Sequence, residues 1–330
     1  MIDELLRELT GIYGPSGRED NIRKYIEEQI KEHVDTIYVD PLGNLVAIRR
    51  GSDPGLMVAA HMDELGLMVT QIDDNGFLRI GRVGGVAPHL LVGQRFVFAN
   101  GTCGTVHHEK IDQLKEIDWS RIYMDIGCSG KEESEKKVSV GDVSVYDQEF
   151  RDLGERYLGK SLDDRAGCSV LIETIKKLPR ELPRQVAFVF TVQEELGLRG
   201  ARTAAYGLEP SYAVAVDVTR VGDTPKAPVM DVSLGKGPAV KIKDSSLISH
   251  AKVREVMFQL AESHDIPCQR EVLERGGTDA GAIQLSREGV PSGVLSIPCR
   301  YVHTPSEMVD REDMEKSQQL LELLCLHSWE

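Results

Sequence analysis

Four segments of the chain, LMVAA, VAFVFTV, YAVAV and SGVLSI, are apolar at nearly every position instead of alternating. A strand with one face in water shows a period of two, so runs of this kind belong to a sheet covered on both faces. Helical patterns are interleaved with them, an alternation that favours parallel pairing through crossovers. The fold class expected is therefore α/β, a mostly parallel sheet with helices on both faces.

The organisation around that sheet is also readable. A chain of 330 residues exceeds one ordinary core and suggests about two domains. It opens with a helix from about Ile2 to Leu9, a Gly-Pro-Ser-Gly loop, and a second helix starting near Arg18. Ser16 ahead of Glu19 fits a capping box, which gives that loop a structural role and no chemistry. Between Met68 and Tyr157 the character changes to short strands such as FLRIGRV, QRFVFA, GTCGTV and VSVGDVSVY, rich in glycine and without helical periodicity. This stretch reads as a small all-β barrel inserted into the α/β domain, leaving it after His61 and returning before Asp163. The domains expected are residues 1–66 with 159–330, and an inserted barrel over 67–158. Within the insertion, KEESEKK reads as a solvated loop. His107 and His108, as neighbours on a strand, point to opposite faces and cannot chelate one ion. Beyond the barrel come a helix at SLDDRAGCSVLIETIKKL, one at GLRGARTAAYG, one from Ser249 to Ser263, and a closing helix over about Arg311–Leu326.

Composition removes several partners. The net charge is -14 and no run of Lys and Arg is present, which argues against nucleic acid. No segment approaches the ~18 apolar residues of a membrane span, and the acidic amphipathic start MIDELLRELTGIYG lacks a signal-type apolar core. A cytoplasmic location is expected. The six cysteines are widely spread with no CxxC or CxxH, so neither a zinc knuckle nor a redox pair is written here.

The chemistry lies where the apolar runs end. His61 closes LMVAAH, Glu194 and Glu195 follow VAFVFTV, Asp217 closes AVAVD, and His303 follows VLSIPCRYV. Asp163 and Asp164 stand at the start of a helix. In a parallel α/β sheet, ligands gather at the carboxyl ends of the strands because only there do several loops converge. Any one of these residues has an ordinary explanation as a turn, cap or satisfied core residue. Together they would bury several uncompensated carboxylates, at several kcal/mol per ion. Metal ions remove that cost. Imidazole and carboxylate without sulfur suit Zn²⁺, Co²⁺ or Mn²⁺. Charge implies two ions: a shared Asp163, Glu195, Asp217 and a bridging hydroxide balance two divalent cations, with His61 and His303 neutral. Glu194 then remains free as general acid/base, and Asp63 is placed to accept the other ring N–H of His61. In RGGTDAGA, Gly277 and Asp279 are candidate substrate contacts, with a helix-capping Asp as the alternative.

The motifs AAHMDELG, SLDDRAG, QEELGLRGA, VDV, RGGTDAGA and VHTPSE together resemble the M42 family of metalloaminopeptidases, over essentially the whole chain. The resemblance implies a zinc-peptidase type α/β domain. One ion would be held by His61, Asp163 and Asp217, the other by Asp163, Glu195 and His303, with Glu194 as general acid/base. It also implies a cis peptide between Asp163 and Asp164, release of N-terminal residues from short peptides, and a barrel that serves assembly and substrate access. A homo-oligomer is expected, with the dodecamers of the family as its upper form. Val86, Leu90, Leu91 and Val92 would be poorly protected in a monomer. Two other classes compete. A glycoside hydrolase, cellulase-like, needs two carboxylates about 5 to 9 Å apart and no metal, and leaves His61 and His303 without a role. A non-catalytic peptide-binding scaffold would need a lost ligand or base, and none is lost.

Overall fold

The structure is a computed structural model that describes residues 2–51 and 55–329. Two helices open the chain, α1 (Ile2–Gly11) and α2 (Asp20–Ile30), followed by β1 (Thr36–Val39), β2 (Leu45–Arg49) and β3 (Leu56–His61). The chain then builds a closed barrel from β4 (Gly66–Ile72), β5 (Leu78–Val83), β6 (Arg95–Phe98), β7 (Cys103–His108), β8 (Ile122–Asp125) and, after the short helix α3 (Lys131–Glu135), β9 (Val143–Tyr146). It returns through β10 (Arg151–Asp152), β11 (Arg156–Gly159) and helix α4 (Leu162–Lys177). The remainder runs β12 (Val186–Thr191), α5 (Arg199–Leu208), β13 (Tyr212–Thr219), β14 (Ala239–Lys243), α6 (Ala251–Ser263), β15 (Gln269–Val272), α7 (Asp279–Ile283), β16 (Ser292–Arg300), β17 (Glu307–Asp310) and α8 (Arg311–Leu326).

Eleven strands form one sheet in the order β1-β2-β12-β3-β13-β16-β17-β11-β10, with β14 and β15 branching from β16. The four central strands β12, β3, β13 and β16 are parallel, as their apolar runs require. Towards the edges, β1, β2, β17, β11 and β10 pair antiparallel, because loops as short as those between β1 and β2 or β16 and β17 cannot make a crossover. Alternate side chains of one strand feed two cores. Leu56, Val58 and Ala60 of β3 join Val186, Phe188 and Phe190 of β12 beneath α1, α2, α4 and α8. Met57 and Ala59, with Val189, pack instead against Ala201, Ala204 and Ala205 of α5 and Ala282 and Ile283 of α7. Each large side chain buried this way contributes about 1.5–3 kcal/mol, which is why no polar period interrupts these strands.

The barrel has its own core around Leu67, Leu78, Phe96, Val106 and Met124. It ends at Tyr146, earlier than expected: β10 and β11, read as part of the insertion, pair with each other and with β17 of the large sheet. Val86 and Leu91 are buried in the barrel core, Val92 is half-buried, and Leu90 alone of those four is exposed. KEESEKK is not a loop, because Ser134 inside it is buried and donates to Gly76 O at 2.7 Å, pinning the single turn of α3. His107 and His108 end β7, one exposed and one half-buried, and their ring centroids are 4.9 Å apart, closer than rings on opposite faces would stand. The capping box also fails: Glu19 is the N-cap residue of α2, and no side chain caps that helix. Among the described residues no helix is long and apolar enough to cross a membrane.

Candidate metal centre

The parallel register brings three strand ends level. Thr191 pairs with His61 and Ala59 with Ala215, so His61 and Asp217 project from adjacent strands at one height. The turn after β12 supplies Glu194 and Glu195, the turn between β16 and β17 supplies His303, and the first residues of α4 bring up Asp163. The backbone departs from regular geometry at these points. Asp163 and Asp164 have non-helical angles and are joined by the cis peptide that the resemblance implied, while Gln193 and His303 have φ of 53° and 69°.

Asp163 stands between the two histidines. Its Oδ1 lies 3.0 Å from His61 Nε2 and its Oδ2 lies 3.3 Å from His303 Nε2. Asp217 Oδ1 is 3.9 Å from His61 Nε2, and Glu195 Oε1 is 3.5 Å from His303 Nε2. Two groups of three donors result, His61 with Asp163 and Asp217, and Asp163 with Glu195 and His303, each with its donor atoms within 4.8 Å of one another. Donors about 2 Å from a tetrahedral ion stand about 3.3 Å apart, so these spacings match a divalent ion in each group. A third grouping of His61, Glu194 and Glu195 satisfies the same limit, with Glu194 Oε2 at 3.9 Å from His61 Nε2.

Both histidines present Nε2 to the site for the same reason. His61 Nδ1 is 3.2 Å from the main-chain oxygen of Asp63, and His303 Nδ1 is 3.1 Å from that of Gly85. A carbonyl oxygen only accepts, so in the neutral ring each Nδ1 would carry the proton and each Nε2 would keep its lone pair for a ligand. The expected carboxylate partner of His61 is thus a secondary one, since Asp63 Oδ1 lies at 3.4 Å. That carboxylate chiefly serves the neighbouring turn, accepting from Glu194 N at 3.0 Å and Glu195 N at 3.3 Å.

The electrostatics call for added positive charge. Burial, and next the repulsion of Asp163, pushes the Asp217 carboxyl well above its ordinary range. Burial also lifts Glu194 far up, with Asp217 and Glu195 adding to it, and takes Glu195 to about 7 against the opposing pull of His303. Burial works against a protonated His303, yet Glu195 and Asp163 drive it up to about 10. No arginine or lysine pairs with Asp163, Glu194, Glu195 or Asp217 among the described residues; the buried Lys160 and Lys241 are committed to Glu64 at 2.6 Å and Glu271 at 2.7 Å. Glu195 Oε1 is buried without a hydrogen-bond donor. The residues fit two divalent cations, which would supply that charge and leave both imidazoles neutral.

Some contributors escape sequence reasoning. Glu307, inside the VHTPSE motif but assigned nothing, accepts from His303 N at 2.7 Å and from Asp163 N at 3.0 Å. One carboxylate thereby holds the backbone of two donors. Asp164 accepts from His61 N at 3.2 Å and Gly167 N at 2.9 Å, and so supports the site from beneath. Asp279, the first residue of α7, is buried and accepts from Thr191 Oγ1 at 2.5 Å, which places it beside the strand end that leads to Glu194. Thr278 is the N-cap of α7 and no side chain caps it, so Asp279 is not the expected cap. Gly277 lies in the exposed loop before it, where a Cβ would stand 2.9 Å from Ser246 Oγ.

The chain as a whole has relatives of known family. Residues 43–320 match the family model described as M42 glutamyl aminopeptidase. The chain belongs to the M42 aminopeptidase family. A lysyl aminopeptidase of Pyrococcus furiosus is 36% identical over 98% of this chain and 97% of its own. Among solved structures, the TET1 peptidase of Pyrococcus horikoshii, which can assemble into a tetrahedron or a large octahedral shell, is 36% identical with a TM-score of 0.90, covering 99% of this chain and 100% of that one. A Thermotoga maritima protein named endoglucanase is 33% identical with a TM-score of 0.82, covering 97% and 96%.

Proposed function

We propose that the chain is a dinuclear-metal aminopeptidase that releases N-terminal residues from short peptides. The observation that carries this reading is the division of Asp163 between His61 and His303, with Glu194 beside the pair and outside both groups of three donors. Zn²⁺, Co²⁺ or Mn²⁺ bound there would supply Lewis-acid polarisation of the scissile carbonyl and a nucleophile at neutral pH.

The chain's own residues do the rest. His61, Asp163 and Asp217 form one holding group and Asp163, Glu195 and His303 the other. Glu194 is the general acid/base, taking a proton from the attacking water and delivering it to the leaving amine. Its raised carboxyl pKa, set first by burial, suits a group that must both accept and donate near neutral pH. Asp63 keeps the Glu194–Glu195 turn in place. Asp279 and Gly277 line the approach of the substrate, and the free oxygen of Asp279 suits a cationic or N–H group at the peptide N-terminus.

The barrel is proposed as the assembly and substrate-access element. The contact of its Gly85 with His303 supports the second role, the shells formed by the Pyrococcus horikoshii relative support a homo-oligomer, and a solved TET1 structure, 36% identical, with a dodecamer in its asymmetric unit supports a dodecamer among the forms. A carbohydrate-cleaving reading, suggested by the name of the Thermotoga protein, would leave the two histidines that flank Asp163 without work. The deciding experiment offers the purified protein short peptides and soluble cellulose side by side. Release of single N-terminal residues that stops with chelator and returns with Zn²⁺ or Co²⁺ supports the proposal; activity on cellulose that survives complete metal removal refutes it.

A further inference from the structure

The segment Gly14–Glu19 precedes the residues that match the family model, and in sequence it looks like a helix entry. In three dimensions it packs on the turn that carries Glu194 and Glu195. Three successive backbone N–H groups of that turn meet two carboxylates. Gln193 N donates to Glu19 Oε1 at 3.1 Å, Glu194 N to Asp63 Oδ1 at 3.0 Å, and Glu195 N to Asp63 Oδ2 at 3.3 Å. Ser16 Oγ donates to the same Asp63 Oδ2 at 2.5 Å. Glu19 Oε1 also receives Gly17 N at 2.7 Å, and Glu19 makes no side-chain cap for α2, so its carboxylate is not engaged by the helix that it starts.

The segment is itself anchored. Ser16 N donates to Glu64 O at 3.2 Å, Gly14 N to Glu64 Oε1 at 3.0 Å, and Arg165 Nη2 to Gly14 O at 3.4 Å. Gly14 is needed for the approach, since a Cβ there would stand 2.8 Å from Ile22 Cγ2 and 2.9 Å from Arg165 Nη2. Ser16, Glu19 and Asp63 are all buried.

We propose that Ser16 and Glu19 are positioning residues of the catalytic turn, acting with Asp63 to fix where the Glu194 and Glu195 side chains stand. The inference rests on the roles given to those two glutamates above. Its physical basis is that the turn begins at Gln193 with φ of 53°, a left-handed conformation that a non-glycine residue keeps only when its surroundings over-determine it. Without Glu19 the N–H of Gln193 is left unpaired, and rotation about that residue swings both glutamates. Hydrogen bonds to charged acceptors are the strong ones, and a misplacement of about 1 Å in a catalytic group costs about 10² in rate.

The test uses Glu19→Ala, Glu19→Gln and Ser16→Ala in the full chain, with three readouts: amide hydrogen exchange at residues 190–198, Zn²⁺ titration, and turnover with the Michaelis constant on a chromogenic amino-acid anilide. In Glu19→Ala, exchange at 193–195 is expected to quicken about tenfold and turnover to fall about 10- to 100-fold, with the Michaelis constant within about twofold. Glu19→Gln keeps an oxygen acceptor and is expected to recover most of both. A folded Glu19→Ala with unchanged exchange and turnover overturns the proposal, as does equal impairment of the Ala and Gln variants. Should Glu19→Ala not fold, Ser16→Ala carries the same test, with faster exchange and weaker binding of one Zn²⁺ expected, and wild-type values overturning it. If the wild type cleaves no peptide at all, the reading of Glu194 fails, while exchange and Zn²⁺ binding still decide the role of Ser16 and Glu19.

Discussion

The ring of His303 is held by the main-chain oxygen of Gly85, 3.1 Å from its Nδ1, although His303 lies in the turn between β16 and β17 of the large sheet and Gly85 in the loop after barrel strand β5. The barrel therefore sets the orientation of a candidate metal ligand. A Cβ on Gly85 would stand 2.7 Å from both Nδ1 and Cε1 of that ring. Gly85→Ala is expected to weaken binding at the Asp163, Glu195 and His303 group by about 10- to 100-fold and to leave the His61 group intact. Stepwise Zn²⁺ titration separates the two, and equal loss at both would contradict the assignment.

Removal of the ions should make stability depend on pH in one direction. The ordinary pKa of Glu195 is 4.5 and the folded value about 7; for His303 the figures are 6.5 and about 10. Burial is the larger cause for Glu195, and the carboxylates around His303 outweigh burial there. In both cases the folded state binds more protons than the unfolded chain, so stability falls as pH rises from about 4.5 through 10. Asp163, depressed by His303 and His61 against the effect of burial, acts in the opposite sense, and only in more acid solution. The melting temperature of chelator-treated protein should be highest near pH 5 and fall towards pH 9. Zn²⁺ should raise it most at the alkaline end, where the ligands are already deprotonated. A chelated protein that gains stability across that range would contradict the charge balance described for the site.

Glu194→Gln separates proton transfer from metal binding. The side chain keeps its size, and both groups of three donors stay complete. Two ions per chain should remain by elemental analysis while turnover falls by about 10² or more. Loss of an ion would instead make Glu194 a ligand, as the alternative grouping with His61 and Glu195 allows.

How much of this was legible in sequence follows from the range of each interaction. The central strands could be read because burial on both faces writes itself into each strand separately, as in Leu56–His61 and Val186–Thr191. The candidate donors stood out because His61 and Asp217 lie at the ends of such strands, Glu195 and His303 follow them and Asp163 opens a helix; parallel register then brings His61 and Asp217 level. The end of the barrel could not: β11, which carries β10, differs from a barrel strand in its partner, β17, which lies about 150 residues further on. Ser16, Glu19 and Glu307 were hidden for another reason. Glu19 and Glu307 act through backbone N–H groups, of Gln193 and of Asp163 and His303, and a backbone group leaves no trace in composition or spacing; Ser16 acts through the carboxylate of Asp63, 47 positions away. The same local pattern, Ser followed by Glu three positions on, fits a capping box equally well.

Asp279 gives the last expectation. Its Oδ2 accepts from Thr191, while its Oδ1 is buried with no donor among the described residues. An unmet buried carboxylate oxygen costs free energy that a bound group can offset. Burial raises this carboxyl to about 6 against the lowering by Thr191, so above that pH it presents a negative charge to the site. Asp279→Asn keeps the shape and an acceptor for Thr191 but removes the charge. The Michaelis constant for peptides with a free N-terminus is expected to rise about tenfold or more, with the melting temperature lowered little or raised. Unchanged kinetics with a lowered melting temperature would make Asp279 a structural partner of Thr191 and remove it from the substrate approach.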